Sequence, residues 1–121
     1  TRWGFKQLIE ANAAQVLNAD AQVLGGITEW KKVADLAMSS HVLLAPHGDQ
    51  EIHAHLVASV PNGLIAEYYD NNTNALLKDM FPEPIRLNEL GQIMVPQAPG
   101  LGVEIEYERI RPYCTYSSDD K

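Results

Sequence analysis

The first half of the chain contains apolar residues at helical spacing, interrupted by short continuous apolar runs. Near the start, apolar residues recur every three or four positions, which predicts a helix over residues 3–14. A second helix is predicted after the glycine pair at 25–26, with Thr28 as its cap, and a third after Asp49, which can cap it. The predicted buried faces are Phe5, Leu8, Ile9, Ala13, Val16 and Leu17, then Trp30, Val33, Ala34 and Ala37, then Ile52, Leu56 and Val60.

Three short apolar segments are predicted strands: QVLNAD at 15–20, HVLLAP at 41–46 and LIAEYY at 64–69. The second has no alternation of apolar and polar residues, as expected for a strand buried on both faces of a parallel sheet. Strands and helices alternate at spacings of roughly 20 to 27 residues, which is typical of βαβ units. The sequence therefore predicts an α/β fold with a parallel sheet and right-handed crossovers.

The composition changes after Asp70. The following segment is rich in proline and is predicted to be irregular, with short extended pieces such as QIMVP and VEIEYE. Asn88 to Gly91 has the composition of a hairpin turn. We therefore expect an α/β part over 1–70, an irregular C-terminal segment over 71–116, and a disordered tail over 117–121.

Composition and charge limit the classes of function. The chain has 121 residues and 45% hydrophobic content, which suits one domain with its own core. Sixteen acidic residues against nine basic ones give a net charge of −7, which argues against nucleic-acid and membrane-surface partners. No apolar run is long enough to span a bilayer. Cys114 is the single cysteine, so an internal disulfide is impossible and a cytoplasmic location is expected.

Three polar residues fall at or near the ends of the three predicted strands: Asp20, His47 and Glu67. In a parallel sheet the loops after the strands build the functional site. An Asp beside a His fixes the tautomer of the imidazole and makes it a better general base. A buried carboxyl group nearby can stay neutral and donate a hydrogen bond. Taken singly, Asp20 also suits a helix cap, Glu67 a salt bridge and His47 a loop contact.

A metal site built from the histidines is the alternative that the segment LLAPHGDQEIHAHL raises. His53 and His55 are two positions apart on a predicted helix and point to different faces, whereas a helical metal pair needs a spacing of three or four. The sequence therefore favours His47 as the chemical residue, and His55 is expected in or near the core. His41 is expected at the start of a strand, away from the site.

The segments NADAQVLGGITEWKKVADLA, LLAPHGDQEIHAHLVASVPNG and LIAEYYD closely resemble the last third of the mandelate racemase and muconate lactonizing enzyme-like branch of the enolase superfamily. The resemblance covers about residues 1–113, where VPQAPGLGVEIEYE resembles the closing segment of the family. It implies the C-terminal portion of a TIM-like (β/α)7β barrel, followed by the irregular segment. Residues 1–70 would then form a partial barrel, with Asp20, His47 and Glu67 at the ends of its sixth, seventh and eighth strands.

The spacing is the specific part of this resemblance. His47 follows Asp20 by 27 residues and Glu67 follows His47 by 20, and both intervals fit the family without a gap. By resemblance, His47 removes the proton α to a substrate carboxylate or protonates a departing hydroxyl, while Asp20 orients its imidazole. A neutral Glu67 would donate a hydrogen bond to an enediolate oxygen.

The resemblance also implies a Mg²⁺ cofactor whose carboxylate ligands lie on earlier strands, upstream of Thr1, so no metal ligand is assigned within this chain. The chain is expected to be the back end of an acid-sugar dehydratase-like enzyme acting on a small carboxylate. The alternatives are a racemase or epimerase of a 2-hydroxy acid, or an inactive barrel fragment that serves only as an assembly unit. Taken alone, the chain is expected to be inactive, and to form a homo-oligomer or pair with the missing barrel part.

Overall fold

The computed structural model describes residues 1–115 and contains two compact units. The first runs from Thr1 to Tyr69, and the second begins at Asp70. The expected disordered tail, 117–121, lies outside the described residues. No helix in the described part of the chain is long and apolar enough to cross a membrane.

The first unit alternates helices with two short strands, as the sequence pattern predicts. The connection between the strands is helical, so strand, helices and strand form one βαβ unit. The elements are α1 (Arg2–Glu10), β1 (Val16–Leu17), α2 (Ala21–Leu24), α3 (Ile27–Ser39), β2 (Leu43–Leu44) and α4 (Gln50–Ala58).

The strands β1 and β2 pair in parallel, with Val16 opposite Leu43 and Leu17 opposite Leu44. Leu17 and Leu44 are buried, whereas Val16 and Leu43 are 41% and 37% exposed. Because side chains alternate across a strand, one face of this small sheet is covered by the helices and the other is open.

The third predicted strand, over residues 64–69, does not form. This segment meets β2 through one isolated parallel bridge between Leu44 and Gly63, and the N–H of Leu64 donates to the carbonyl of Leu44 at 2.8 Å. The next ladder bond in this register needs an N–H on residue 46, which is Pro46 and has none. The segment therefore runs beside β2 only at its beginning.

Helix α3 supplies most of the core, on the face that the sequence predicts. Its four predicted residues are all buried, and they pack with both strands and α4. The buried side chain of Asn62 donates to the carbonyls of Ala34 and Val42, each at 3.1 Å, and so ties α3 to the sheet. The buried residues of α3 are Trp30, Val33, Ala34 and Ala37.

Helix ends differ from the predictions. Helix α1 ends at Glu10, four residues before the predicted end. Thr28 does not cap α3, because α3 begins at Ile27, directly after Gly26, whose φ of 109° suits glycine. The unpredicted helix α2 ends just before, at Leu24, with Gly25 as its C-cap. Asp49 does precede α4, but it adopts a left-handed conformation with φ 43°, and its side chain makes no capping hydrogen bond.

The second unit is not irregular throughout, in contrast to the prediction for 71–116. Up to residue 115 it contains two short α-helices, α5 (Ala75–Met80) and α6 (Tyr107–Ile110), and two 3-10 turns, Asn71–Thr73 and Arg111–Tyr113. Asn74 caps α5 through a bond from the N–H of Leu76 at 3.0 Å. The extended pieces do not form regular strands within the described residues. The predicted hairpin turn is present, and it is closed by one antiparallel bridge between Leu87 and Ile93.

Candidate acid–base site

Asp20 lies three residues after the end of β1 and is both a helix cap and a site residue. Its Oδ1 atom accepts from the backbone N–H groups of Gln22 at 2.7 Å and Val23 at 3.4 Å, which caps α2. Its Oδ2 atom remains available on the other side of the carboxylate. The two interpretations left open by the sequence, cap and chemical residue, are therefore compatible at Asp20.

The core holds the backbone next to Asp20. The indole Nε1 of the fully buried Trp30 donates to the carbonyl of Ala19 at 2.8 Å. Because Trp30 lies on the buried face of α3, this bond couples the position of the Asp20 loop to the hydrophobic core. The loops after the two strands are also joined directly, since the side-chain amide of Asn18 donates to the carbonyl of Ala45 at 2.8 Å.

His47 lies after β2, and its imidazole meets Asp20. The distance from Nδ1 of His47 to Oδ2 of Asp20 is 3.4 Å, although 27 residues separate them in sequence. The His47 side chain is 56% exposed, whereas the Asp20 side chain is 12% exposed. A carboxylate at Nδ1 leaves Nε2 to exchange a proton with a substrate, which is the arrangement of a general acid or base.

The environment of Asp20 favours its ionised form. Burial opposes ionisation, but the N–H of Gln22 and the imidazole of His47 outweigh it and hold the pKa of Asp20 below its ordinary value of 3.8. The N–H of Val23 acts in the same direction. Asp20 is therefore a carboxylate at neutral pH, suited to orient His47 and to stabilise its protonated form.

Glu67 lies on the extended segment beside β2 and contacts the His47 loop. Its Oε2 atom accepts from the backbone N–H of Gly48 at 2.7 Å. The Glu67 carboxylate also accepts a hydrogen bond from the hydroxyl of Tyr69, and this contact contributes to the raised pKa of that tyrosine. The structure thus places Asp20, His47 and Glu67 around one loop. In this arrangement Glu67 accepts hydrogen bonds, so the expected role of a neutral donor requires its protonation.

The four histidines do not form a metal cluster. His53 is fully buried, and both of its ring nitrogens contact the backbone: Nδ1 donates to the carbonyl of Gly48 at 2.7 Å, and Nε2 accepts from Ala21 at 3.0 Å. His55 is half-buried, as expected for a residue near the core, and His41 is exposed before β2. Within residues 1–115, no group of three or more His, Cys, Asp or Glu side chains could hold a metal ion.

Two residues of this region were missed by sequence reasoning. Tyr69 follows Glu67 by two positions in an extended segment. Residues two positions apart in an extended chain point to the same face, so this spacing could have indicated that Tyr69 lies beside Glu67. His53 was considered only as a metal ligand, but it links the two loops that carry Asp20 and His47. No local pattern distinguishes such a buried histidine from an ordinary core residue.

A pocket of about 270 Å³ opens beside the Asp20 and His47 pair. It combines an apolar wall with the two acid–base groups, which is the usual composition of a small-molecule site. Its lining residues are Thr1, Phe5, Asn18, Asp20, Val23, Leu24 and His47.

Asp20 and His47 follow two parallel strands and meet beside Glu67, in the position where the loops after the strands of a parallel sheet carry functional residues. The enolase C-terminal domain-like family model matches residues 1–110. The chain therefore belongs to the enolase C-terminal domain-like family, which confirms the resemblance noted in the sequence.

Curated relatives are named as enzymes of sugar-acid chemistry. The L-rhamnonate dehydratase of Saccharopolyspora erythraea is 31% identical over 119 residues, covering 93% of this chain and 30% of the relative. The 3,6-anhydro-alpha-L-galactonate cycloisomerase of Streptomyces coelicolor is 30% identical over 110 residues, covering 91% of this chain and 29% of the relative. The chain thus spans about 30% of the length of the first of these relatives.

Solved structures of the superfamily share the fold. The crystal structure of L-talarate dehydratase from Polaromonas sp. JS666, complexed with Mg and L-glucarate, matches with a TM-score of 0.79 and 33% identity. The match covers 92% of this chain and 29% of that chain. The α/β fold predicted from the sequence is therefore confirmed at the level of the enolase C-terminal domain.

Proposed function

We propose that the protein containing this chain abstracts the α-proton of a small carboxylate substrate, and that it is an acid-sugar dehydratase. The observation that carries the proposal is the contact between Nδ1 of His47 and Oδ2 of Asp20 at 3.4 Å, beside an open pocket. The dehydratase names among the relatives favour this outcome over racemisation or epimerisation of a 2-hydroxy acid.

In the proposed reaction, His47 exchanges a proton through Nε2. It either removes the proton α to the carboxylate, or delivers a proton to the hydroxyl that leaves from the next carbon as water. The enol that remains becomes a 2-keto acid. Asp20 orients the imidazole and stabilises the imidazolium, and Glu67, once protonated, donates a hydrogen bond to the charge that develops on the substrate carboxylate.

We further propose that the complete enzyme depends on Mg²⁺, because a matched superfamily structure was crystallised with Mg. When bound, the ion would stabilise negative charge on the substrate carboxylate. Within residues 1–115 no group of three or more His, Cys, Asp or Glu side chains could hold it, and we propose that other parts of the enzyme supply its ligands. The contribution of the described residues is therefore the acid–base part of the site, and the chain taken alone is proposed to be inactive.

The open face of the sheet supports a proposal about assembly. Val16 and Leu43 are adjacent across the strand pair, and both are more than one third exposed. We propose that β1, β2 and segment 64–69 correspond to strands six to eight of a barrel, and that other barrel strands cover this face. They would come from the missing barrel part or from a second copy in a homo-oligomer. A cytoplasmic location is proposed from the single exposed Cys114.

The test uses the protein that contains this chain, with Mg²⁺ and a panel of aldonic and aldaric acids. We expect formation of a 2-keto acid, and exchange of the substrate α-proton in deuterated water. His47→Asn should lower turnover by about 10²- to 10⁴-fold, the usual contribution of a general acid or base. His41→Asn is the matched control, because His41 is exposed and lies outside the site. Equal turnover in the two variants would contradict the proposal.

A further inference from the structure

We infer that Tyr69 is a further catalytic residue, whose hydroxyl contacts the reacting nitrogen of His47 and hydrogen-bonds to a hydroxyl of the acid-sugar substrate. The inference rests on the proposed function, since it assigns Nε2 of His47 as the reacting atom. The hydroxyl oxygen of Tyr69 lies 3.5 Å from that nitrogen. The two rings meet edge to face, with centroids 6.3 Å apart and planes inclined by 73°.

The backbone of Tyr69 is held by a buried amide. Gln50, which is only 1% exposed, donates through Nε2 to the Tyr69 carbonyl at 3.0 Å and accepts through Oε1 from the Tyr69 N–H at 3.3 Å. Both polar atoms of the Gln50 side-chain amide thus form hydrogen bonds with the main chain of Tyr69. A buried amide satisfied in this way constrains the segment without restricting the tyrosine side chain itself.

The ring of Tyr69 occupies the space that a side chain at position 48 would need. A Cβ atom on Gly48 would lie 3.1 Å from Cε2 of Tyr69, and Gly48 has a φ of +55°. Glycine is therefore favoured at this position for two reasons, the backbone conformation and the approach of the ring. Gly48 directly follows His47, and its lack of a side chain leaves room for the Tyr69 ring. Contact of the ring with Gly48 therefore helps to position the hydroxyl.

The hydroxyl of Tyr69 joins the two halves of the site. On one side it donates to the Glu67 carboxylate, and on the other its oxygen faces Nε2 of His47. Partial burial and the negative charge of Glu67 raise the pKa of Tyr69, with Asp49 adding to the effect, so the phenol keeps its proton. An oxygen in this state can accept a hydrogen bond from the Nε2–H of an imidazolium.

This contact places Tyr69 beside the proton that an imidazolium at His47 delivers to a leaving hydroxyl. In that step the proton moves from Nε2 to the departing oxygen, the carbon–oxygen bond breaks, and water leaves. Tyr69 keeps its own proton on the Glu67 side, and its oxygen can accept a hydrogen bond from the substrate hydroxyl as that group approaches Nε2. The charged and titratable groups that face His47 or its partners are Asp20, His53, Asp49, Glu67 and Tyr69.

The first test is structural and needs no substrate. Long-range ¹H–¹⁵N NMR spectra of the chain, recorded at one pH, report the ring-nitrogen signals of each histidine. Tyr69→Phe keeps the ring against Gly48 and removes only the hydroxyl. We expect the Nε2 signal of His47 to move, because the hydroxyl oxygen 3.5 Å from that nitrogen is lost.

The matched control is Tyr113→Phe, which removes the phenol bonded to Oδ2 of Asp79 at 2.8 Å in the second unit. We expect it to leave the Nε2 signal of His47 unchanged. An identical Nε2 signal of His47 in Tyr69→Phe and in the unmodified chain would overturn the inference.

The second test uses the protein that contains this chain, with Mg²⁺ and the acid-sugar panel. Tyr69→Phe should lower kcat by about tenfold with a smaller change in KM, because the contact is made to the reacting atoms. Wild-type kcat in Tyr69→Phe, together with loss of turnover in His47→Asn, would overturn the inference and leave the proposed function standing. A moved Nε2 signal of His47 in Tyr69→Phe, with no turnover on any acid sugar in the unmodified protein, would instead refute the proposed function.

Discussion

The buried imidazole of His53 accepts a hydrogen bond from the backbone N–H of Ala21, across a distance of 3.0 Å. Its other nitrogen, Nδ1, donates to the carbonyl of Gly48 at 2.7 Å. Ala21 directly follows Asp20, and Gly48 directly follows His47. One fully buried side chain from α4 therefore sets the relative position of the two loops that carry the acid–base pair, and it is held as the neutral Nδ1–H tautomer.

Replacing His53 should destabilise the chain and separate the two loops. His53→Phe leaves the N–H of Ala21 and the carbonyl of Gly48 without their partner, which predicts a loss of about 2 to 5 kcal/mol in the free energy of unfolding. Urea denaturation measures this change. His41→Asn is the control, and its effect should stay within about 0.5 kcal/mol because His41 is exposed. A similar small effect in both variants would contradict the structural role of His53.

Glu51 should be a source of instability at neutral pH. It is 5% exposed, and its Oε1 atom has no hydrogen-bond partner among the described residues. Burial raises the pKa of Glu51 above its ordinary value of 4.5, and the nearby Asp49 adds to the increase. Because the unfolded chain ionises first, the cost is absent below about pH 4.5, grows as the pH rises towards the folded pKa, and is constant above it.

Glu51→Gln should therefore raise the free energy of unfolding by about 1 to 2 kcal/mol at pH 8 and change it little at pH 4. Thermal unfolding at the two pH values measures the difference. The exposed Glu104 provides the control Glu104→Gln, for which no pH-dependent gain is expected. A gain of equal size at both pH values would show that ionisation of Glu51 is not the cause.

Asp20 should stabilise the folded chain, with a pH dependence opposite to that of Glu51. Its pKa is lowered in the folded chain, so the contribution is present above the ordinary value of 3.8 and is lost as the pH falls through the lowered value. Asp20→Asn should lower the free energy of unfolding by about 1 kcal/mol at pH 7, because charge-assisted bonds become neutral ones. The exposed Asp35 on α3 provides the control Asp35→Asn, and a difference that persists at pH 2.5 would contradict this account.

Gly48 should be more sensitive to substitution than its backbone conformation alone explains. Gly48→Ala places a Cβ 3.1 Å from the ring of Tyr69, whereas Gly91 has a comparable φ of +72° with no atom within 4 Å of an added Cβ. Gly91→Ala measures the conformational cost, about 1 to 2 kcal/mol, and Gly48→Ala should exceed it. Chemical denaturation compares the free energies of unfolding of the two variants. Equal losses would show that the Tyr69 ring moves away from the added Cβ without destabilising the chain.

Much of the first unit could be predicted because its patterns are local. The face of α3 that contains Trp30 and Val33 follows directly from helical spacing, and these residues are fully buried. The strands were located by their apolar runs, although each pairs over only two residues. The third strand was predicted on the same grounds and does not form, because strand formation also depends on the partner, and Pro46 ends the available ladder.

The candidate site was predicted only in part. Asp20, His47 and Glu67 were found from their positions at strand ends, a rule that depends on sheet topology alone. Tyr69 and His53 were not identified as site residues, because their partners are His47, Gly48 and Ala21, in other loops. Such contacts depend on backbone geometry that local spacing does not encode.

The sequence by itself determined the alternation of helices and strands, the buried face of α3 and the three polar positions at the ends of the predicted strands. Periodicity and composition suffice for these features, because each depends on neighbours within a few residues. Only the tertiary structure decided that Asp20 both caps a helix and meets His47, that His53 bridges their loops, and that Tyr69 faces Nε2. The contacts of His47 with Asp20 and Tyr69, and of His53 with Ala21, join residues 22 to 32 positions apart. They exist only once packing has closed the intervening chain.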